Sequence, residues 1–390
     1  MPDLHANWNY PTAISLGVGR IRTLPDACKQ QGMNAPLLVT DPGLAALPFI
    51  QETVGRCDAA GVRCAVFSGI RGNPNGQNVI DGVAAYHAGG HDGVIALGGG
   101  SALDAGKAVA LMAGQQRPLW DFEDCGDNWL RVNEAGMAPV IAVPTTAGTG
   151  SEVGRASVIT DIEQQRKRII FHPKMMPVRV ILDPELTVSL PAKITAATGM
   201  DALSHNLEAF CSPLFHPMAE GIAVEGMRLI KDWLPVAVAE GSNLTARANM
   251  LVASSMGATA FQKGLGAMHS LSHPCGSVLN THHGLTNAVV MPYVLEFNRS
   301  AISEKLVRLA RFLDLPNPSF DAVQNWVLEL REQVGIPHTL KEIGVTEEYT
   351  AQLAPMAAAD PSSGTNPIPL TAANLEPLYL RCIRGELAGG

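Results

Sequence analysis

The sequence predicts an α/β domain followed by an all-helical domain, and three observations predict it. Short apolar runs rich in β-branched residues alternate with helix-like segments as far as Asp183. From Pro191 onward the strand pattern fades and only helical spacing remains. Glycine-rich stretches follow the third and fourth runs, where an α/β sheet places its ligands. At 390 residues the chain suits two domains of ~150–200 residues each. The boundary falls where Asp183-Pro-Glu-Leu leads into Leu190-Pro-Ala-Lys, giving domains of residues 1–188 and 189–390.

Composition narrows the function classes. With 46% hydrophobic and 16% charged residues the chain is a well-buried globular protein. A formal charge of −8 leaves no basic footprint for nucleic acid and no polybasic membrane anchor. Seven scattered cysteines, odd in number and without a C-x-x-C pair, read as free thiols in a reducing compartment. The first ten residues lack a basic segment followed by an apolar run, and no stretch reaches ~18 uninterrupted apolar residues. The expected location is cytoplasmic.

The strands are expected in Ala35–Asp41, Arg63–Gly69, Asp92–Gly98, Pro139–Pro144 and Val178–Asp183, with helices over Asn78–Ala88 and Ala102–Met112. Strands alternating with helices make a mostly parallel sheet buried on both faces. After the third run, Gly98-Gly99-Gly100-Ser101 leads into a helix whose start is marked by the capping-box spacing of Ser101 and Asp104. This reads as a pyrophosphate cradle with Lys107 near a phosphate, or as an ordinary glycine-rich turn. After the first run, Asp41 stands where an acid binds ribose hydroxyls and repels a 2′-phosphate, favouring NAD over NADP; it is also a common turn aspartate before Pro-Gly. The stretch Pro144-Thr-Thr-Ala-Gly-Thr-Gly-Ser-Glu152 adds hydroxyls at the same sheet edge, although no G-x-G-x-x-G fingerprint is present.

Helices are expected in the second half over Thr195–Phe210, His216–Trp233, Leu244–Phe261, Ser303–Leu313 and Phe320–Val334. The first carries Asp201 and His205 four residues apart, on one face. His269 and His273 repeat that spacing inside Gly264–Gly284, a stretch with four of the eleven histidines, His282 and His283 included. A carboxylate and an imidazole from one helix and imidazoles from another form a donor set for one divalent cation. A single pair of this kind is more often a surface contact.

These motifs together resemble the iron-containing (group III) alcohol dehydrogenases over nearly the whole chain. The likeness rests on Gly98–Lys107, Pro144–Glu152, Asp183-Pro-Glu-Leu-Thr, Ala196–His205 and the cluster ending His283-Gly. It implies an N-terminal dinucleotide-binding α/β domain and an all-α C-terminal domain, the architecture shared with dehydroquinate synthase, with catalysis in the cleft between them. It implies Fe(II), Zn(II) or another divalent metal on Asp201, His205, His269 and His283, with His273 close by as a proton relay and Asp201, His269 and His273 as the catalytic group. NAD would contact Asp41, Asn73, Gly98, Gly99, Gly100, Ser101, Asp104, Lys107, Thr145, Thr146 and Thr149. The substrate would be a small or primary alcohol, ω-hydroxy acids included, or its aldehyde or semialdehyde, and the protein a homodimer.

Three positions depart from the commoner family pattern. His282 replaces a proline and reads as a bystander to the metal. The segment Phe261-Gln-Lys263 is one residue shorter and places an ammonium toward the substrate side, so Lys263 is a candidate for an anionic substrate group. Gly154 and Ala156 stand where the family places substrate-facing side chains, which implies a roomy pocket. Four rival readings remain. A dehydroquinate-synthase-like lyase needs a basic pocket, with only Lys263 and Arg155 to supply it. Polyol oxidation like that of glycerol dehydrogenase keeps the same cofactors. A metallohydrolase lacks the glutamate of H-E-x-x-H. A non-catalytic metal module leaves both glycine loops unexplained.

Overall fold

Residues 94–98 and 140–144 are buried at every position, as unbroken apolar runs require of strands covered on both faces. The computed structural model describes residue 10 and residues 12–387. The stretch read for a secretory signal therefore lies outside the described residues except for Tyr10, as do the outer ends of both expected domains. The chain divides into two compact units. One comprises Tyr10–Thr146 and Gly150–Val188; the other holds Ala147–Thr149 with residues 189–387.

The first unit is built on six parallel strands: β1 (Ala13–Leu16), β2 (Leu37–Val39), β3 (Ala65–Phe67), β4 (Val94–Gly98), β5 (Val140–Pro144) and β8 (Arg179–Leu182), in the order β1-β8-β5-β4-β2-β3. Its helices are α1 (Leu24–Gln30), α2 (Pro42–Ala45), α3 (Pro48–Ala59), α4 (Gly76–Ala88) and α5 (Gly100–Met112). On one face Leu38, Ile95, Leu97, Ile141 and Val143 pack with Leu24 and Cys28 of α1 and Ile50 and Cys57 of α3. On the other face α5 lies so close that a Cβ at Gly106 would meet that of Ala96 at 2.7 Å. The chain leaves β2 outward to β3 but leaves β4 in the opposite direction to β5. That reversal opens a crevice beyond the carboxyl ends of β2 and β4, at Asp41 and Gly98. The register sets Gly98 beside Pro144, so both glycine-rich loops leave the same edge.

All five expected strands are present, and two features were not expected. β1 is a four-residue edge strand, mostly exposed, without the continuous apolar run of an inner strand. The antiparallel hairpin of β6 (Ala156–Asp161) and β7 (Arg166–Phe171) stands apart from the sheet and is rich in charge. Glu123 pairs with Arg166 at 2.7 Å and also with Arg168; Arg168 reaches Asp161 at 3.0 Å and lies over the Trp120 ring at 4.8 Å. The contacts of Glu123 and Trp120 with this hairpin span 43 to 48 residues, which local periodicity does not announce.

The second unit is helical: α6 (Ala192–Cys211), α7 (Pro217–Ala239), α8 (Leu244–Ala260), α9 (Ala267–Leu279), α10 (His283–Phe312), α11 (Phe320–Gln333), α12 (Thr350–Ala358) and α13 (Ala372–Arg384). α6 is buried along almost all its length against α7, α8 and α10. α10 begins twenty residues before the expected Ser303 because it runs through Pro292, which breaks the helical pattern. Near the break, α11 supplies donors to buried carbonyls: Arg331 donates to Val289 at 2.9 Å and Gln324 to Pro292 at 2.9 Å. Among the described residues no helix is long and apolar enough to cross a membrane.

Candidate metal centre and cofactor crevice

Asp201, His205 and Glu208 lie four and three residues apart on α6, so they share one face and are all buried. α9 brings His269 and His273 to that face, then ends at Asn280 in the left-handed conformation (φ 54°, ψ 34°). The chain reverses within three residues and α10 opens on His283. The following Gly284 is obligatory, because a Cβ there would stand 2.6 Å from the Ala197 carbonyl and 2.9 Å from the Asp201 Cβ. The result is a set of donor atoms from Asp201, His205, His269 and His283, all within 4.8 Å of one another.

Each of the three imidazoles is tied at Nδ1. His205 Nδ1 lies 3.2 Å from the Gly148 carbonyl, His269 Nδ1 2.6 Å from Glu208 Oε2, and His283 Nδ1 3.3 Å from Ser272 Oγ. The tethers leave Nε2 of His269 and His283 facing the shared centre, where the Asn287 amide nitrogen lies 3.3 and 3.2 Å from them and donates to Asp201 Oδ1 at 2.8 Å. His205 and His269 stack with centroids 4.8 Å apart. Burial pushes His205 down to about 4, against the pull of Asp201, so its imidazole is neutral. Burial also works against charge on His269, but the Glu208 carboxylate outweighs it and the net shift is upward.

The donor chemistry fits a divalent cation. Ligands at ~2.1 Å from a tetrahedral ion are about 3.4 Å apart, and His283 Nε2 lies 3.6 Å from Asp201 Oδ1. His273 stands beside this set, stacked on His283 at 5.2 Å and edge-on to His269 at 5.8 Å. Its Nδ1 is 2.8 Å from Asp360 Oδ2. Burial opposes charge on Asp360, yet His273 and the Ser362 N–H hold it below the usual carboxylate range. His282 caps α10, accepting the Leu285 N–H at 3.3 Å, and is exposed.

In the other unit, Gly98 has φ +146°, and a Cβ there would lie 2.7 Å from that of Ala102 and 3.8 Å from Asp41 Oδ2. Asp41 uses its other oxygen to cap α2, accepting the Leu44 N–H at 3.0 Å. Thr145 N–H donates to the Gly98 carbonyl at 2.9 Å, and the Thr146 hydroxyl is 3.6 Å from where a Gly99 Cβ would be. Asp41, Gly98, Gly99, Thr145 and Thr146 are thus gathered at the switch point, beside the Gly100 and Ser101 amides at the start of α5. This bare-backbone cradle suits a pyrophosphate. Asn73 adopts φ 53° in the turn ahead of α4, and Thr149 belongs to the helical unit.

Three expected ligands turn out otherwise. The Ser101–Asp104 capping box does not form: Gly99 is the N-cap and no side chain caps the helix. Asp104 instead accepts from Ser151 Oγ and from the Val158 N–H at 3.0 Å. Lys107 is 2% exposed, and its ammonium donates to the carbonyls of Ser151 (2.9 Å), Gly154 (3.4 Å) and Ala156, leaving no proton for a phosphate. Gly154 and Ala156 therefore meet Lys107 through their carbonyls. Lys263 is 1% exposed and is spent on the carbonyls of Phe210 (3.1 Å) and Ser212 (2.7 Å) and on Glu220 (2.9 Å). Burial and the nearby Lys305 ammonium push it downward. It clamps the C-terminal end of α6, where helix carbonyls attract cations, and presents nothing to a substrate.

Residues 11–184 match the family profile described as iron-containing alcohol dehydrogenase, and residues 195–383 match the C-terminal profile of the Fe-containing alcohol dehydrogenase family. The chain belongs to the iron-containing alcohol dehydrogenase family. It is 39% identical over 375 residues to a 4-hydroxybutyrate dehydrogenase of Cupriavidus necator, covering 94% of this chain and 96% of that one. A solved 1,3-propanediol oxidoreductase superposes with TM-score 0.92 at 32% identity, over 97% of this chain and 100% of the other. A sulfoacetaldehyde reductase from Bifidobacterium kashiwanohense, solved with NAD+, gives 0.88 at 29%, over 98% and 99%. The four-donor set lies within the residues that match the C-terminal profile. Glu208, Asn287 and Asp360 escaped the sequence reading. The first two share helix faces with His205 and His283 and were open to detection by spacing; Asp360 has no local signal.

Two outcomes are expected. Gly284→Ala forces α10 away from α6 and costs about 1–3 kcal/mol, with a fall in bound metal measured by elemental analysis. Lys263→Ala lowers the unfolding free energy by about 2–3 kcal/mol, less than the usual loss for a broken buried pair because Lys305 remains. Its ratio of kcat/KM for carboxylate-bearing over neutral alcohols stays that of the parent; a selective loss on the charged substrate would restore Lys263 to the substrate site.

Proposed function

We propose that this protein interconverts a small primary alcohol, ω-hydroxy acids among them, and the corresponding aldehyde or semialdehyde, passing a hydride to and from NAD(H). The observation that carries the reading is the clustered donor set Asp201, His205, His269 and His283, the first three buried and His283 partly so, each imidazole tethered at Nδ1. A divalent cation held by these donors supplies Lewis-acid polarisation of the alcohol oxygen. NAD would be held with its pyrophosphate on the Gly98–Ser101 turn and its ribose at Asp41, and would supply the hydride acceptor. The ω-hydroxy-acid class is supported by the 4-hydroxybutyrate dehydrogenase relative rather than by Lys263.

The chain's own residues do the rest. Asp360 holds the His273 Nδ1 proton, which leaves Nε2 as the acceptor for the alcohol proton on its way to solvent. Overall, the alcohol loses a hydride to NAD and a proton to water, and the reverse reaction recovers both. Phe261, edge-on to His205 at 5.2 Å, shields that side of the centre from water. A lyase acting on a phosphorylated substrate fits less well, because Lys263 is buried and Arg155 lies over the Phe171 ring at 5.6 Å.

We also infer a cytoplasmic homodimer. All seven cysteines are free, as suits a reducing compartment. Among the described residues the outer edge of β1 has no partner strand, with Ile14 and Leu16 39 and 42% exposed, and an open apolar edge calls for one.

Absorbance at 340 nm with neutral alcohols, diols, ω-hydroxy acids and their aldehydes, with and without Fe(II) or Zn(II), tests the activity. Silence across the panel with every metal removes the reading. His269→Ala is expected to lose metal and all activity, whereas His273→Ala retains metal and turns over ~10²–10⁴-fold more slowly; equal metal content and equal rates in the two variants contradict these roles. By light scattering the parent should have twice the chain mass, and Leu16→Lys should shift it toward the monomer; a monomeric parent dismisses the edge-pairing idea.

A further inference from the structure

We infer that Glu208 is a positioning residue of the metal centre: one carboxylate sets the tautomer of His269 and also anchors the start of the helix that carries it. The inference rests on the cation-binding reading above.

Glu208 is 6% exposed, and both of its oxygens are committed. Oε2 accepts from His269 Nδ1 at 2.6 Å and Oε1 from the Met268 N–H at 2.6 Å. The second bond matters because α9 starts at Ala267 on Gly266, a residue without a capping side chain. Two of the orphan N–H groups of its first turn are met from far away, Ala267 by Asn366 Oδ1 at 3.0 Å and Met268 by Glu208. A negative charge at this helix end is also favoured by the helix dipole. Gly266 makes room for the carboxylate, since a Cβ there would lie 3.1 Å from Oε1, and the two hydrogen bonds hold the group in that space. It therefore fixes the proton of His269 on Nδ1 and keeps Nε2 as the lone-pair donor toward Asp201 and His283.

Both neighbours donate, so the site demands two acceptors on one side chain. A glutamine of the same shape offers one acceptor and one NH₂ group. With its oxygen on the Met268 N–H, its NH₂ faces His269 Nδ1, which must then accept, and the imidazole proton moves to Nε2, where it blocks a cation. With the amide reversed, NH₂ confronts N–H at the start of α9 and that helix end loses its partner. Only a carboxylate meets both demands. Carboxylate partners of ligating histidines commonly contribute 10–100-fold to metal affinity. The small cavity behind the residue, lined by Leu207, Cys211, Met268 and Ile302, would be enlarged by Glu208→Ala, so Glu208→Gln is the cleaner test.

The full-length protein, stripped of metal, is titrated with Zn(II) against a chromogenic chelator, and its thermal unfolding is recorded without metal. Glu208→Gln is expected to weaken Zn(II) binding 10–100-fold. Asn366→Ala is the control, because it removes the other long-range acceptor at the start of α9 without touching His269; it should lower the unfolding temperature while Zn(II) affinity stays within about threefold. Affinity within threefold of the parent in Glu208→Gln overturns the inference. So does an equal loss in both variants, which would reduce Glu208 to a helix cap. If Glu208→Gln does not fold, Glu208→Asp replaces it: one methylene short, it cannot span both donors, and a tenfold loss supports the role while unchanged affinity refutes it. A parent protein that binds no Zn(II), Fe(II) or Co(II) defeats the cation reading itself, a result distinct from parental binding that survives in the variants.

Discussion

Four donor side chains with ligand atoms within 4.8 Å of one another, three of them buried and His283 partly so, impose the constraint on which the helical unit depends. Lone pairs brought together away from water repel, and each imidazole must hold its single proton on the far nitrogen if the near one is to bind a cation. The unit answers with acceptors placed behind the rings: a carboxylate, a backbone carbonyl and a hydroxyl. α6 is buried nearly throughout because it carries both ligands and the Glu208 tether, and Gly284 is bare because α10 must touch α6 to deliver His283.

The α/β unit solves a different problem, that of exposing backbone to a ligand. β2 and β4 part company at their carboxyl ends, and Gly98 adopts a conformation closed to side chains, so peptide groups rather than side chains line the crevice. Asp41 serves twice, capping α2 with one oxygen and turning the other toward Gly98. Turn aspartate and nucleotide ligand are thus compatible roles for one residue.

Two lysines show where residue chemistry misleads. Lys107 and Lys263 lie beside ligand-binding motifs in sequence, and both ammoniums are consumed by backbone carbonyls. A buried loop or helix end carries a surplus of acceptors, and a lysine with three protons is an efficient way to satisfy it. From sequence a structural lysine and an anion-binding lysine look alike, because the difference is where the carbonyls are.

The sequence by itself determined the division into an α/β part and a helical part, the five strands β2, β3, β4, β5 and β8, the crevice glycines and the four candidate metal donors. Those features rest on local period and on motifs whose spacing has a direct geometric meaning, such as i,i+4 on a helix. Tertiary structure alone decided the edge strand β1, the hairpin of β6 and β7, the run of α10 through Pro292, and the partners of Lys107, Lys263, His269 and His273. Each of these depends on groups far apart in the chain: Glu208 is 61 residues from His269, and Asp360 is 87 from His273. Periodicity reports which face of an element is buried, whereas hydrogen-bond partners are set by which elements meet, and only the folded chain brings them together.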